Sequence, residues 1–321
     1  MTELNILHFS DFHGGYDSLD DLIEHANTSD NVDAVFFSGD ILEQCLSTNE
    51  QGKMHNKERF MRRYAPNESD KPYSIDDLLK TCKKSKDKAL KTVAREYEAI
   101  EKTFEKKAKT EYLKFREKIK GINKRVFMVP GNWDTPIFDK IFKKYSIHKK
   151  SKRFNGYKIM GFGGADSLPL ANPSRKHYPY SDKEYQKQLK KHNPDIILSH
   201  IPPQGYADGK YQIGSLELGE YVSTNRFKGI WGYLKKHLDI FGWFSKNPQL
   251  VACGHAHGYD SVEKNKVTVV NAGSFGEYRA PASQPTFAKI QLRDTETNVK
   301  HYGIERGNIS ELEAPSYETA A

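Results

Sequence analysis

The chain has 321 residues, enough for one large domain or two small ones, and its 37% hydrophobic and 29% charged residues predict a soluble protein with a real core. No run of about 18 apolar residues and no basic-then-apolar leader occur, which excludes a membrane-spanning helix and predicts no secretory signal. Three scattered cysteines exclude a disulfide framework and a cysteine-ligated zinc site, so we expect a cytoplasmic protein.

The positive charge of the chain is concentrated in one segment. The net charge is +8 and the isoelectric point is near 9.0, which suggests an anionic partner such as nucleic acid. Residues 71–120 alone carry 16 Lys and Arg against nine Asp and Glu, and the remainder is close to neutral. The basic character therefore belongs to this segment and not to the rest of the chain.

The chain begins with a strand–helix–strand pattern. Ile6–Ser10 is an apolar run that predicts a buried strand, and apolar residues at helical spacing predict a helix that ends near Ala26. Ala34–Ser38 returns as a second strand, and such a unit predicts a parallel sheet. Both strands are followed by potential metal ligands, which are Asp11 and His13 after the first and Asp40 after the second.

Residues 43–121 form a Lys-rich, largely helical insertion. Residues 44–70 are polar without clear periodicity and predict a loop or short helices. From Leu90 to Ile122 apolar residues recur every three or four positions, which predicts one long amphipathic helix or a helical hairpin that ends at Gly121. In the simpler interpretation this apolar stripe packs on the core and the lysines are solvated. In the other, the insertion is a lid or arm whose 71–120 lysines attract an anionic substrate, nucleic acid included.

The second half of the chain again alternates between strands and helices. We expect parallel strands over Arg125–Pro130, Tyr157–Gly161, Asp195–Leu198 and Leu250–Cys253, and helices over Thr135–Tyr145, Ser181–Lys191 and Gly214–Val222. We expect antiparallel strands of a second sheet over Lys266–Val270, Thr286–Leu292 and Val299–Ile304. The aromatic segment 226–244 predicts a core-facing amphipathic helix or a contact with a partner or membrane surface, and residues 306–321 predict a flexible tail.

Potential metal ligands follow five of the predicted strands. The later strands add Asn132, His200, His255 and His257 to Asp11, His13 and Asp40. Ligands bind where the carboxyl ends of strands converge, so we expect one shared cleft. His255 and His257 would point to opposite faces of an extended chain and could serve two ions, with Asp40 as the bridge. The alternative is that these residues are only core histidines and strand-end caps. It would require potential ligands to follow all five strands by coincidence.

These residues resemble the sequence blocks of the calcineurin-like metallophosphoesterases. Those blocks are D-x-H, G-D, G-N-H-[DE], a later His and G-H-x-H, and they match here over Leu4–Glu43 and Lys124–Gln291. The chain is most similar to small archaeal and bacterial predicted phosphoesterases. The resemblance implies a four-layer α-β-β-α sandwich of two mixed sheets, an α/β fold. It also implies two metal sites, one formed by Asp11, His13, Asp40 and His257 and the other by Asp40, Asn132, His200 and His255.

One position departs from the family pattern. Trp133 stands where many members have a histidine that protonates the leaving group, although Asp134, which would orient that histidine, is present. An indole cannot transfer a proton usefully, and general acid catalysis is typically worth about 10²–10⁴-fold. We therefore expect a preference for good leaving groups or another acid. Candidate acids in nearby loops are His177, Tyr178 and Tyr206, which with Trp133 are the residues expected near the substrate.

The sequence thus predicts a single metallophosphoesterase domain over residues 1–305 that hydrolyses a small phosphoester or nucleotide. Two divalent ions would hold a bridging hydroxide that attacks phosphorus, with Asp40, Asn132 and Asp134 as the catalytic residues. Carboxylate and imidazole ligands suit manganese, iron, zinc or nickel rather than calcium. We expect manganese, with iron, zinc, nickel or magnesium as alternatives. Two other functions stay open: a nuclease that uses the same metals and guides a strand along the basic insertion, and a non-enzymatic binding scaffold.

Overall fold

The structure, a computed structural model, describes most of the chain. The described residues are 3–42, 45–65, 75–165, 178, 180–209, 213–223, 248–276, 284–293 and 296–313. His177 and the aromatic segment 226–244, for which we made predictions from the sequence, lie outside these residues.

Twelve strands form two mixed sheets in the described part of the chain. They are β1 (Leu4–Phe9), β2 (Ala34–Phe37), β3 (Arg125–Met128), β4 (Lys150–Phe154), β5 (Tyr157–Phe162), β6 (Ile196–Ser199), β7 (Leu250–Cys253), β8 (Tyr259–Lys264), β9 (Val267–Ala272), β10 (Thr286–Leu292), β11 (Thr297–Glu305) and β12 (Asn308–Leu312). The first sheet has the order β12-β11-β10-β1-β2-β3 and the second β4-β5-β6-β7-β9-β8. The strands that precede the predicted ligands pair in parallel, β1 with β2 and β2 with β3 in the first sheet and β6 with β7 in the second, and each sheet also contains antiparallel pairs.

Seven helices flank the sheets within the residues that the structure describes. They are α1 (Leu19–Thr28), α2 (Thr48–Tyr64), α3 (Ile75–Lys84), α4 (Lys88–Ile119), α5 (Phe138–Ile141), α6 (Asp182–His192) and α7 (Leu216–Ser223). None of these helices combines the length and apolar character needed to cross a membrane.

Side chains that alternate along the strands create three apolar layers. In β1, Ile6 points between the two sheets, whereas Leu7 and Phe9 point to the outer face that α1 and α4 cover. A third cluster, on the outer face of the second sheet, packs against α6 and α7. Strands buried on both faces read as continuous apolar runs, which is why they were predictable. The predicted four-layer α-β-β-α sandwich is confirmed.

The insertion is built on one long helix rather than a hairpin. The apolar stripe of α4, including Tyr97, Phe104 and Phe115, lies in the same buried cluster as the outer face of β1 and β2. Residues 44–70, expected to be a loop or short helices, instead contain the 17-residue helix α2. Its N-terminus is fixed by a capping box between Ser47 and Glu50, and its buried Met54 and Met61 join the same cluster.

Three further expectations need correction. Thr286–Leu292 and Val299–Ile304 belong to the first sheet and not to the second, because β10 pairs antiparallel with β1 and β11 pairs antiparallel with β10. The helix expected over 135–145 is only the short α5. After it the chain turns beside the end of β3, where Met128 N–H donates to Tyr145 O and Ile147 N–H donates to Met128 O. The expected flexible tail 306–321 contains β12, which pairs with β11.

The buried His301 of β11 leads to a prediction about acid stability. Its side chain is 5% exposed, and burial lowers the pKa of the imidazole from 6.5 to about 4. As the pH falls below 6.5 the unfolded chain binds this proton before the folded protein does, so the folded state loses stability. At about pH 5 the loss amounts to about 2 kcal/mol.

We expect His301→Leu to remove this acid sensitivity. The free energy of unfolding is measured in urea at about pH 7 and at about pH 5. The decrease between the two pH values should be smaller in the variant than in the wild type, by about 2 kcal/mol. A control substitution at the exposed His55, His55→Leu, should keep the wild-type difference. Identical pH dependence of wild type and His301→Leu would contradict the prediction.

Candidate metal centre

The predicted ligands follow the carboxyl ends of five strands, and backbone hydrogen bonds tie these strand ends together. Asp11 N–H donates to Gly39 O at 2.9 Å, which joins the ends of β1 and β2. Gly254 N–H donates to His200 O, also at 2.9 Å, which joins the ends of β6 and β7. Phe275 N–H donates to Asp11 O and so links the two sheets. The loops that carry the ligands are therefore one connected unit.

Five of the seven predicted ligands have a left-handed backbone. The φ angles are +50° at Asp11, +37° at His13, +61° at Asp40, +68° at His255 and +59° at His257. Such angles are uncommon for residues other than glycine and concentrate at functional sites, where the fold holds the strain. The sequence argument assumed that extended chain would alternate the two histidines of His255-Ala256-His257. The structure corrects this, because tight turns and not strand pleating orient them.

Asp11, His13 and His257 form the first group of potential ligands. Asp11 Oδ1 lies 3.3 Å from His257 Nε2 and 4.0 Å from His13 Nε2, close enough for one cation to contact all three. Asp11 and His13 are buried, whereas the His257 side chain is 22% exposed. The first group therefore has its open side at His257.

Asp40 connects this first group to a second one. Its Oδ2 lies 3.8 Å from His13 Nε2 and 3.5 Å from His200 Nε2. Asn132 Oδ1 lies 2.8 Å from His200 Nε2 and 3.1 Å from His255 Nδ1. All seven predicted ligands thus come together around Asp40.

The hydrogen bonds of two histidines show that the donor set fits a divalent metal. His13 Nδ1 donates to Leu42 O at 3.0 Å and His200 Nδ1 donates to Ser38 O at 2.7 Å. Because Nδ1 is the donor in both residues, the lone pair of Nε2 is the one left for a cation, and Nε2 faces carboxylate and amide oxygens. Lone pairs that face one another repel, and a cation between them would convert this repulsion into coordination.

The protonation states agree with that interpretation. Burial lowers the pKa of His255 to about 3, and burial also lowers the pKa of His200. Both imidazoles are therefore neutral near pH 7, which is the form that binds metals.

Two glycines of the motifs allow the loops to approach each other. A Cβ at Gly131 would overlap the carboxylate and backbone of Asp40, and a Cβ at Gly254 would overlap the side chains of Ser10 and Asp11. Gly131 and Gly254 therefore permit the close contact between ligand loops from different strands.

Asp134 has a different environment from the one expected for a residue that orients a catalytic acid. Its Oδ2 accepts from the backbone N–H groups of Asp40 and Gly131 at 3.0 and 2.8 Å. Its Oδ1 accepts from Ile41 N–H and from the Tyr112 hydroxyl, both at 3.1 Å. Burial raises the pKa of this carboxyl to about 6, although its donors act to lower it. Asp134 therefore holds together the loops that follow β2 and β3, an arrangement we call the Asp134 clamp.

The residues expected near the substrate are placed differently from one another. The Trp133 ring lies 5.8 Å from the His13 ring, and its backbone N–H donates to Asp40 Oδ1 at 2.7 Å. Tyr206 is 4% exposed and belongs to the apolar cluster on the outer face of the second sheet. The Tyr178 hydroxyl donates to Asp139, and burial raises its pKa well above the usual range.

Two residues to which the sequence analysis assigned no role support the site. Asn271 Nδ2 donates to Gly254 O at 3.0 Å and to Ala207 O at 3.1 Å, so it holds the loop that carries His255 and His257. Tyr112 of α4 connects the insertion to Asp134. The polar segment Asn271-Ala272-Gly273-Ser274 after an apolar strand was a usable signal for Asn271, whereas Tyr112 was hidden in the apolar stripe of α4.

Comparison with known proteins identifies the family. The family model of the calcineurin-like phosphoesterases matches residues 4–259. No curated protein matches the chain. Among solved structures, a Thermus thermophilus protein is 17% identical, with 93% of this chain and 98% of that one covered at a TM-score of 0.47. Vacuolar protein sorting 29 of Cryptosporidium parvum is 13% identical, with 97% of each chain covered at a TM-score of 0.40. A novel archaeal phosphodiesterase is 12% identical, with 92% of this chain and 98% of that one covered at a TM-score of 0.38.

The family match includes every predicted ligand and most of the chain, and it confirms the resemblance seen in the sequence. Aspartate and histidine groups that could hold a metal ion lie at the same strand ends. The chain therefore belongs to the calcineurin-like phosphoesterases and is a metal-dependent hydrolase of phosphoester bonds.

Proposed function

We propose that the chain is a two-metal phosphohydrolase that acts on small phosphoesters or nucleotides, as a phosphodiesterase or a phosphatase. One divalent cation, with manganese favoured, would be held by Asp11, His13, Asp40 and His257, and the other by Asp40, Asn132, His200 and His255. When bound, such a pair supplies a nucleophilic water and neutralises the oxygens of the phosphoryl group.

The observation that carries this proposal is the position of Asp40. Its Oδ2 lies within 4 Å of His13 Nε2 on one side and of His200 Nε2 on the other, at 3.8 and 3.5 Å. Its other oxygen is engaged by Trp133 N–H, so the carboxylate cannot rotate away without losing that bond. A carboxylate fixed between two histidines is suited to bridging two cations.

The remaining residues orient the site and leave one side accessible. His255 N–H donates to Asp11 Oδ2 at 2.9 Å, which leaves Asp11 Oδ1 directed toward His257. The side chains of Asp11, His13, Asp40 and His200 are at most 1% exposed. The more exposed His257 therefore marks the side from which a phosphate group would approach.

Hydrolysis of bis(p-nitrophenyl) phosphate tests the proposal. We expect activity with added manganese, loss of that activity with a chelator, and recovery when manganese is returned in excess. Manganese titrated into the chelated protein should bind with a stoichiometry of about two per chain. Hydrolysis that continues undiminished in the chelated protein, or a stoichiometry of one, would contradict the two-metal proposal.

The tryptophan at position 133 leads to a prediction about leaving groups. Without a histidine there, we expect aryl diesters to be hydrolysed about 10²-fold or more faster than alkyl diesters, because alkoxides need a proton on departure. The measurement is kcat/KM across diesters of graded leaving-group pKa. Equal kcat/KM for aryl and alkyl diesters would show that another residue acts as the acid.

A further inference from the structure

A cavity of about 690 Å³ lies between α4 and the loops that follow β1 and β2. On the α4 side it is lined by Lys106, Lys107, Glu111 and Lys114, which recur at helical spacing and so share one face of the helix. Tyr16 lies on the opposite side. The volume is in the range of about 300–1,000 Å³ that is usual for small-molecule sites.

This cavity adjoins the candidate metal centre. Gly14, which lines it, directly follows His13, so the two Cα atoms are about 3.8 Å apart. Cys45, which also lines it, lies three residues after Leu42, whose carbonyl accepts from His13 Nδ1. The His13 ring lies 5.3 Å from the ring of the more exposed His257, so the cavity edge at Gly14 and the accessible side of the metal centre lie next to the same histidine.

The charges of the cavity favour an anion. Three lysines line it against one carboxylate, Glu111, and that carboxylate accepts from the Tyr16 hydroxyl at 3.1 Å. Lys114 Nζ lies 3.3 Å from the centroid of the Tyr16 ring. Lys107 Nζ is 3.4 Å from Glu50 Oε2 at the surface, and Lys106 forms no ion pair with any described carboxylate. Lys106 is thus the side chain best placed to meet a ligand, and Lys107 beside it can bind the same anion by exchanging Glu50 for it.

We propose that this cavity is a second anion subsite, and that the substrate carries a second phosphate group which Lys106 and Lys107 bind. The inference rests on the proposed function, because the first phosphate is the one hydrolysed at the metal centre. The second phosphate could belong to a doubly phosphorylated nucleotide or to the next linkage of an oligonucleotide, and both present the same oxygens to the lysines. It also gives the Lys-rich insertion a function in substrate selection.

Two esters that differ by one phosphate test the subsite. They are thymidine 5′-(p-nitrophenyl phosphate) and the same ester with a 3′-phosphate, and both release p-nitrophenol. We expect the kcat/KM of the wild type to be roughly 10-fold or more higher for the 3′-phosphorylated ester, because of a lower KM. This is the effect of one hydrogen bond between charged groups. In Lys106→Met/Lys107→Met the ratio of the two kcat/KM values should fall toward one. A p-nitrophenyl ester of a thymidine dinucleotide distinguishes the sources, because a preference for it as well would indicate an oligonucleotide.

The matched control is Lys102→Met/Lys109→Met. It removes the same charge from exposed positions of α4 that do not line the cavity, and Met has nearly the helix propensity of Lys. The control should keep the wild-type preference. The absence of any preference in the wild type would overturn the proposal. An equal loss of preference in both double variants would also overturn it, because general electrostatic attraction by the basic helix would then explain the preference.

Direct binding separates this inference from the proposed function. Thymidine 3′,5′-bisphosphate, titrated calorimetrically into the manganese-loaded protein, should bind roughly 10-fold more tightly than thymidine 5′-monophosphate, and Lys106→Met/Lys107→Met should remove the difference. If neither ester is hydrolysed but this difference is found, the proposed reaction fails and the subsite stands. If the esters are hydrolysed and no difference is found, the subsite fails alone.

Discussion

Asp40→Asn should lower phosphodiester hydrolysis more than about 100-fold while the protein stays folded. Removing a residue that only supports a ligand typically costs about 10–100-fold in activity or metal affinity, so removing a shared ligand should cost more. An asparagine can still accept from Trp133 N–H through Oδ1. Its Nδ2–H₂ group would then face His13 Nε2 and His200 Nε2. An NH₂ group donates hydrogen bonds and cannot coordinate a cation, as the carboxylate oxygen can.

Thermal unfolding with and without manganese measures this effect independently of activity. A metal that binds only the folded protein raises its stability by about 2.7 kcal/mol at a concentration 100 times Kd. We expect the Tm of the wild type to rise with manganese and the Tm of Asp40→Asn to stay unchanged. Asp208→Asn is the matched control, because Asp208 is also buried and also accepts from a backbone N–H but is not a predicted ligand. Full hydrolytic rate in Asp40→Asn would refute the role of Asp40.

The five ligand-bearing strands could be predicted because burial on both faces leaves little ambiguity. β2 consists of Ala34-Val35-Phe36-Phe37, with alternate residues in two different apolar clusters, so each position had to be apolar. The helix α2 was missed for the opposite reason. Its apolar residues are too few for a visible stripe, and its start depends on the capping box that Ser47 and Glu50 form. That capping-box spacing was present in the sequence.

Sheet membership could not be predicted from strand patterns. Thr286–Leu292 alternates as an antiparallel strand should, but alternation does not specify which edge it pairs with, and it pairs with β1. The left-handed turns at the ligands were equally hidden, because Asp40 and His257 carry no local signal for positive φ beyond the neighbouring glycines. The order of the potential ligands along the chain was therefore readable from the sequence, whereas their geometry depends on contacts between loops far apart in sequence.

Asp134→Asn should be the second most damaging substitution. Three backbone N–H groups and one hydroxyl donate to the Asp134 carboxylate, so an amide nitrogen in place of either oxygen would face at least one N–H. A buried donor left without an acceptor costs about 1–3 kcal/mol. Whichever oxygen is replaced, the N–H that loses its acceptor belongs to the loop of Asp40 and Ile41 or to Gly131, so we also expect about 10²-fold lower kcat, the effect of an approximately 1 Å displacement at a reacting centre.

Tyr112→Phe tests whether the insertion acts through the same clamp. The Tyr112 hydroxyl donates to Asp134 and accepts from Thr135 N–H at 2.7 Å, so its removal should destabilise the protein by about 1–3 kcal/mol. The backbone bonds of Asp134 to Asp40, Ile41 and Gly131 would remain, and kcat should therefore fall less than in Asp134→Asn. Asp134 thus makes two kinds of contact, one that holds the loop of Asp40 and one that attaches α4 to that loop.

Asp195→Asn separates a local effect on the site from a general loss of stability. Asp195 Oδ2 accepts from Lys158 N–H at 2.8 Å, and this residue precedes β6 at the end opposite to His200. We expect Asp195→Asn to lower the free energy of unfolding in urea and to leave kcat unchanged. If Asp134→Asn lost stability to the same extent but kept its kcat, Asp134 would be a structural carboxylate only. A fall in kcat confined to Asp134→Asn and, more weakly, Tyr112→Phe would instead show that the position of the Asp40 loop limits the reaction.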